Sequence, residues 1–169
     1  MFDLRELLIE VFVGAFNRSE YMQDVQDDEE EYLPYSALTR DILGCCFAVM
    51  KELGPGFLER IYKNALFLAM TQNGLQVEPE KPFEVKFREQ VIGRYNADLI
   101  VEKTVIVELK CCEYLLREHQ AQVINYLTVA QLPIGLLINF RRRKLEYKRL
   151  RNQERIDFEE ALAERKLPF

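Results

Sequence analysis

The sequence predicts an α/β layer fold built around a mixed sheet. Three observations predict it. Two helical stripes of apolar residues come first, between about Ser36 and Gln72. After Pro79 and Pro82 the period changes from helical to alternating. A short, continuous apolar run, Ile134 to Ile138, then follows a third helical stretch. The resulting order is helix, helix, three strands, helix, strand, strand.

Each element has its own signal. Ser36 and Thr39 are candidate N-caps for the first helix, whose stripe is Leu38, Ile42, Cys45, Cys46, Val49 and Leu53. Gly54-Pro55-Gly56 breaks it. A second helix is expected from about Phe57 to Gln72, with Phe57, Leu58, Ile61, Ala65 and Leu68 facing a core. Asn73-Gly74 ends it. Phe83, Val85 and Phe87 alternate with Glu84, Lys86 and Arg88, the pattern of a half-buried strand. Val91 to Tyr95 reads as a second strand, which Ala97 to Val101 extends or follows. Thr104 to Lys110 reads as a third, with Val105 and Val107 on one side and Ile106 and Glu108 on the other. Arg117 to Gln131 forms a helix. Pro133 to Phe140 suits a strand buried on both faces. Leu145 to Arg149 is a last strand, and Phe158 to Lys166 a small terminal helix.

The chain has 169 residues, 49% hydrophobic and 30% charged, the balance of a globular protein of about one domain. No apolar run reaches the length of a membrane-spanning helix. The first residues, MFDLRELLIEVF, carry acids and no basic leader, so a cytoplasmic location is expected. Cysteines occur as two adjacent pairs, Cys45-Cys46 and Cys111-Cys112. That spacing supports neither a zinc ribbon nor a redox motif, and reduced thiols are expected.

The net charge of −5 is unevenly spread. Residues 1–33 hold ten acids and two bases, and read as an acidic extension with a short amphipathic helix on Leu4, Leu7, Leu8, Val11 and Phe12. The domain proper is expected over residues 34–169. Residues 141–155 hold eight bases and two acids, a candidate surface for nucleic acid.

The chemistry is concentrated in the segment Tyr95 to Lys110. If a three-residue loop, 102–104, joins two antiparallel strands, Asp98 lies opposite Glu108, with Cβ atoms about 4.5–5.5 Å apart. Lys110 then projects from the same face as Glu108. A two-residue turn would put the two acids on opposite faces, so the proposal depends on loop parity. Like charges across a sheet repel, and a compensating cation is needed. Lys110 supplies one positive charge, and a divalent ion such as Mg²⁺ or Mn²⁺, which prefers oxygen ligands, supplies two. An Asp, a Glu and a Lys around such an ion suit phosphodiester hydrolysis. The plainer reading makes Asp98 a strand cap and Glu108 and Lys110 solvated strand residues.

Two further groups bear on this choice. Glu59 and Tyr62 share a face at the start of the second helix, so Glu59 is a candidate third acidic ligand. Its plainer role is a surface pair with Lys63 at i+4. His119, Gln122 and Tyr126 form one polar stripe on the third helix, suited either to a cleft or to internal hydrogen bonds.

Leu53-Gly-Pro-Gly-Phe-Leu-Glu59-Arg-Ile-Tyr62, Asp98…Glu108-Leu-Lys110, His119…Gln122…Tyr126 and Gly135-Leu-Leu-Ile-Asn-Phe140 together resemble the GxxExxY protein family. That family is grouped with the PD-(D/E)xK nuclease superfamily. The resemblance spans about residues 36 to 150. It implies a restriction-endonuclease-like core, a mixed central β-sheet flanked by α-helices. It also implies that Glu59, Asp98 and Glu108 bind metal with the backbone carbonyl of Leu109, and that Lys110 is the catalytic lysine. Gln122 and Tyr126 match the Q-x-x-x-Y pattern that follows the lysine in RecB-like nucleases. Ala97 stands where the superfamily often has proline.

The function expected from these readings is a Mg²⁺- or Mn²⁺-dependent nuclease acting on nucleic acid, DNA first. Glu59, Asp98, Glu108 and Lys110 carry the chemistry. Tyr62, His119, Gln122, Tyr126, Arg141, Arg142 and Arg143 position the substrate. No membrane association is expected, and a homodimer is compatible with the superfamily. The alternative is a non-catalytic module on the same fold that binds nucleic acid or protein.

Overall fold

The computed structural model describes residues 34–164. The acidic extension and its expected helix, and the residues after Glu164, lie outside the described residues. Among the described residues, four helices and five strands follow one another: α1 (Ser36–Leu53), α2 (Glu59–Gln72), β1 (Val77–Phe87), β2 (Gln90–Val101), β3 (Val105–Lys110), α3 (Arg117–Ala130), β4 (Ile134–Asn139), β5 (Glu146–Arg151) and α4 (Gln153–Glu164). The strands form one sheet in the order β1-β2-β3-β4-β5. Only β3 and β4 are parallel, joined by α3; every other neighbouring pair is antiparallel. The sheet is mixed and helix-flanked, as the sequence predicts.

Both faces of the central strands are buried, which explains their unbroken apolar runs. On one face Leu99, Val101, Val105, Val107, Leu109, Leu136 and Ile138 pack with α1, α2 and Ile156 of α4. On the other, Ala97, Ile100, Ile106 and Leu137 pack with Val123, Tyr126 and Leu127 of α3. Gly135 lets α3 approach closely, since a Cβ there would stand 2.4 Å from Val123 Cγ1.

Several element boundaries and faces differ from expectation. The buried stripe of α2 is Tyr62, Leu66, Ala69 and Met70. Phe57, Leu58, Ile61 and Leu68, expected in the core, are exposed, and only Ala65 of the expected set packs against it. Apolar spacing alone could not choose between two stripes about a quarter-turn apart. β1 begins at Val77, running through both Pro79 and Pro82, because it is an edge strand and needs no amide on its open side. β2 is a single strand of 12 residues. The far end of the β1–β2 hairpin extends beyond the core, so Phe87, expected half-buried, is exposed along with Val91 and Ile92. α4 begins five residues before the expected Phe158, where the side chain of Asn152 accepts from the amide of Arg155.

Candidate active site

The β2–β3 connection decides where the acids lie. Glu102 and Lys103 both take left-handed backbone angles, and three residues separate the strands. The pairing that results is Leu99 with Val107, Ile100 with Ile106 and Val101 with Val105. This is the register of the three-residue loop. Regular pairing stops one rung short of Asp98 and Glu108. At that rung the carboxylate of Asp98 takes the place of a backbone carbonyl: Oδ2 accepts the amide of Leu109 at 3.0 Å.

The sheet is broken on the other side of Asp98 as well. Pro79 pairs with Leu99 and Lys81 with Ala97, so Glu80 stands across from Asp98 but has left the ladder. Its φ of 51° is unusual for a residue with a Cβ. The alternation of β2 changes here too, since Ala97 and Leu99, two apart, pack into opposite cores. Glu80, Asp98 and Glu108 therefore occupy one transverse row of disrupted pairing across three strands.

Among the described residues Glu108 is the most buried acid, 4% exposed. Lys110 Nζ donates to its Oε1 at 2.7 Å, while Oε2 is buried without a hydrogen-bond partner. Burial pushes its pKa up to about 7, the charge of Asp98 adds to this, and Lys110 and the nearby Asp98 amide oppose it. Lys110 is itself held above the usual lysine range. Burial alone would lower it, but the bond to Glu108 and the charges of Glu108, Glu59 and Asp98 outweigh that.

Glu59 is brought to this end of the sheet from α2. Gly54 and Gly56, at φ 70° and 112°, make the turn between α1 and α2. Tyr62 fastens the turn: its hydroxyl donates to the Gly54 carbonyl at 2.6 Å and accepts from the Phe57 amide at 3.2 Å. Its ring stacks on Phe140, just beyond β4, at 4.8 Å. Glu59 then sits in the field of Lys110, Asp98 and the Cys111 amide; burial is the main cause of its raised pKa. The expected pair of Glu59 with Lys63 is replaced by another. Lys63 Nζ donates to Glu80 Oε1 at 2.6 Å and lies 3.7 Å from Asp98 Oδ1.

The polar stripe on α3 divides. Gln122 Nε2 donates to the Tyr126 hydroxyl at 2.7 Å, and the Tyr126 ring lies 5.0 Å from that of Tyr95. Burial chiefly raises the Tyr126 pKa, with contributions from Gln122, Glu108, Lys110 and Asp98, so this pair borders the acids. His119 makes a different bond. Its Nδ1 accepts the Leu116 amide at 3.2 Å, holding the first turn of α3. Tyr62, expected to position substrate, has no exposed surface, and its hydroxyl is bound to backbone on both sides.

Asn139 and Lys63 escaped sequence reasoning. Asn139 is buried in the otherwise apolar β4, beside Lys110 in register. Its Oδ1 accepts from Cys112 and Arg141, and its Nδ2 donates to the Cys112 carbonyl and to Glu146. It thereby joins the loops after β3 and β4. The signal was one amide side chain closing an apolar run. Arg141, Arg142 and Arg143 follow β4 and are exposed, with Arg142 lying 5.0 Å over the Tyr114 ring. Because β3 and β4 are parallel, this basic loop leaves the same end of the sheet as Lys110.

Among the described residues, no three His, Cys, Asp or Glu side chains stand as a ready-made metal cage. The donor set nonetheless suits a hard divalent cation. It consists of oxygens, it carries excess negative charge, and one buried carboxylate oxygen of Glu108 lacks a partner.

A mixed α/β sheet with an Asp, a Glu and a Lys at a strand break is the framework of a nuclease-type protein. A family model for the PD-(D/E)XK nuclease superfamily matches residues 36–150, and the chain belongs to that superfamily. A solved structure titled "Crystal structure of SSO0001" is similar at 16% identity and a TM-score of 0.46, covering 98% of this chain and 87% of that one. No curated protein matches. No described helix is long and apolar enough to cross a membrane.

Proposed function

We propose that the protein is a divalent-metal-dependent nuclease of the GxxExxY type, hydrolysing phosphodiester bonds of nucleic acid, with DNA as the first substrate to test. The observation that carries this reading is the buried, partly unpaired carboxylate of Glu108 beside Asp98 and Lys110 at a break in the sheet. Asp98, Glu108, Glu59 and the carbonyl of Leu109 would hold Mg²⁺ or Mn²⁺. Such an ion supplies Lewis acidity toward the phosphate and lowers the pKa of a bound water.

The residues divide the remaining work. Lys110, with its pKa raised, keeps its proton near neutrality, so its role is electrostatic: it faces charge that builds on the phosphate oxygens. Glu108 anchors that ammonium through Oε1. The Asp98 carboxylate, braced by the Leu109 amide, fixes the distance between β2 and β3. Gln122 and Tyr126 orient one another along α3, and Arg141, Arg142 and Arg143 offer cations to the backbone of the nucleic acid.

The internal partners of Asp98 and Glu108 favour a second reading, a binding module without turnover. One assay separates the two. Single- and double-stranded DNA and RNA are incubated with Mg²⁺, Mn²⁺ or EDTA, beside Asp98→Ala and Lys110→Ala. The nuclease gives metal-dependent cleavage that falls about a hundredfold or more in both variants. Binding without cleavage of any substrate contradicts it and selects the module.

A further inference from the structure

We propose that Lys63 is a built-in stand-in for the cation at Asp98, and that Glu80, its nearer partner, holds Lys63 away from Asp98 when a divalent ion enters; this rests on the metal-centre reading above. Lys63 Nζ lies between two carboxylates, 2.6 Å from Glu80 and 3.7 Å from Asp98. The two partners differ in environment. The side chain of Asp98 is 17% exposed and belongs to the acidic cluster, whereas that of Glu80 is 69% exposed and faces water.

The backbone is arranged for this. Glu80 would be an ordinary strand residue opposite Asp98, but its left-handed φ takes it out of the ladder and toward α2, where Lys63 waits. Lys63 lies one turn beyond Glu59 on α2, so the helix that delivers an acid also delivers the competing ammonium. A lysine close to Asp98 neutralises the cluster when no ion is present and repels an incoming one. Glu80 weakens that competition by offering the ammonium a nearby alternative. In this account Lys63 and Glu80 are positioning residues that set metal affinity, and neither is a ligand.

The test is calorimetric titration of Mn²⁺ into the metal-free full chain, with unfolding in EDTA recorded to confirm folding. Lys63→Met should bind Mn²⁺ several-fold more tightly than the wild type. Glu80→Gln should bind several-fold more weakly, because Lys63 is left with Asp98 alone. The double variant should match Lys63→Met, since Glu80 acts only through Lys63. Lys63→Arg, which keeps the charge, should stay near the wild type.

Unchanged or weaker binding by Lys63→Met overturns the proposal. So does an equal loss from Glu80→Gln in the presence and absence of Lys63, which would make Glu80 a ligand in its own right. Wild-type binding with unchanged variants removes this device alone. Failure of the wild type to bind Mn²⁺ removes the metal centre along with it.

Discussion

Glu108 shows most directly how a buried charge becomes a property that can be measured. Its pKa is about 7 in the folded chain, against 4.5 for a free side chain. The folded protein therefore holds a proton that the unfolded chain has released between those values. The sign follows from linkage: the stability that the Glu108 proton contributes in the metal-free protein is fully present below about pH 4.5 and is lost as pH rises through 7. The full decline from this residue is on the order of 3 kcal/mol. Thermal unfolding in EDTA at pH 5 and pH 8 should show it, and Glu108→Gln should remove most of the difference. A slope that survives in Glu108→Gln would assign the proton to another group. Divalent metal reverses the preference, because the ion needs the deprotonated carboxylate, so Mn²⁺ affinity should climb toward pH 7 and then level.

The same scale shows what side-chain spacing could reveal. The interval from Asp98 to Glu108 was informative because one loop length converts it into proximity. Lys63 was hidden for the opposite reason. Its position at i+4 from Glu59 predicts a helix-surface pair, while the actual partner, Glu80, comes from a strand that leaves its ladder at that one residue. Local spacing does not encode an irregular φ.

Among the elements, α2 carries the consequences of one turn. Gly54-Pro55-Gly56 sets its entry, and Tyr62 fastens that turn with two hydrogen bonds and a ring stacked on Phe140. Tyr62→Phe keeps the ring but leaves the partly buried Gly54 carbonyl and the Phe57 amide without this partner. The expected cost is about 1–3 kcal/mol in urea unfolding, with a fall in turnover because Glu59 loses its fixed start. Unchanged stability would mean that the turn is held by its glycines alone.

Element types were readable from period and punctuation, and boundaries were less so. The starts of β1 and α4 depended on which side of a strand faces open space and on a single capping Asn152. Neither is visible in apolar periodicity. The face of α2 is not legible in the sequence because both of its candidate stripes are apolar, and the choice between them is made by the sheet it meets.

At the scale of the whole molecule, the sheet gathers its chemistry at one end of its central strands. Parallel pairing of β3 with β4 puts Lys110 beside Asn139, and the loops beyond them carry Tyr114 and the three consecutive arginines. The net charge of −5 conceals this concentration. Replacing Arg141, Arg142 and Arg143 together by alanine should weaken DNA binding and flatten its dependence on salt by up to about 3 units in the log–log slope. A slope unchanged by the triple replacement would move the nucleic acid to another surface.

The proposed nuclease depends on a cation held by Asp98, Glu108 and Glu59. Its most direct test is thermal unfolding with and without millimolar Mn²⁺, in the wild type and in Asp98→Ala. Preferential binding to the folded site should raise the wild-type melting temperature and leave Asp98→Ala nearly unmoved. An equal rise in both proteins, or none in the wild type, would contradict it.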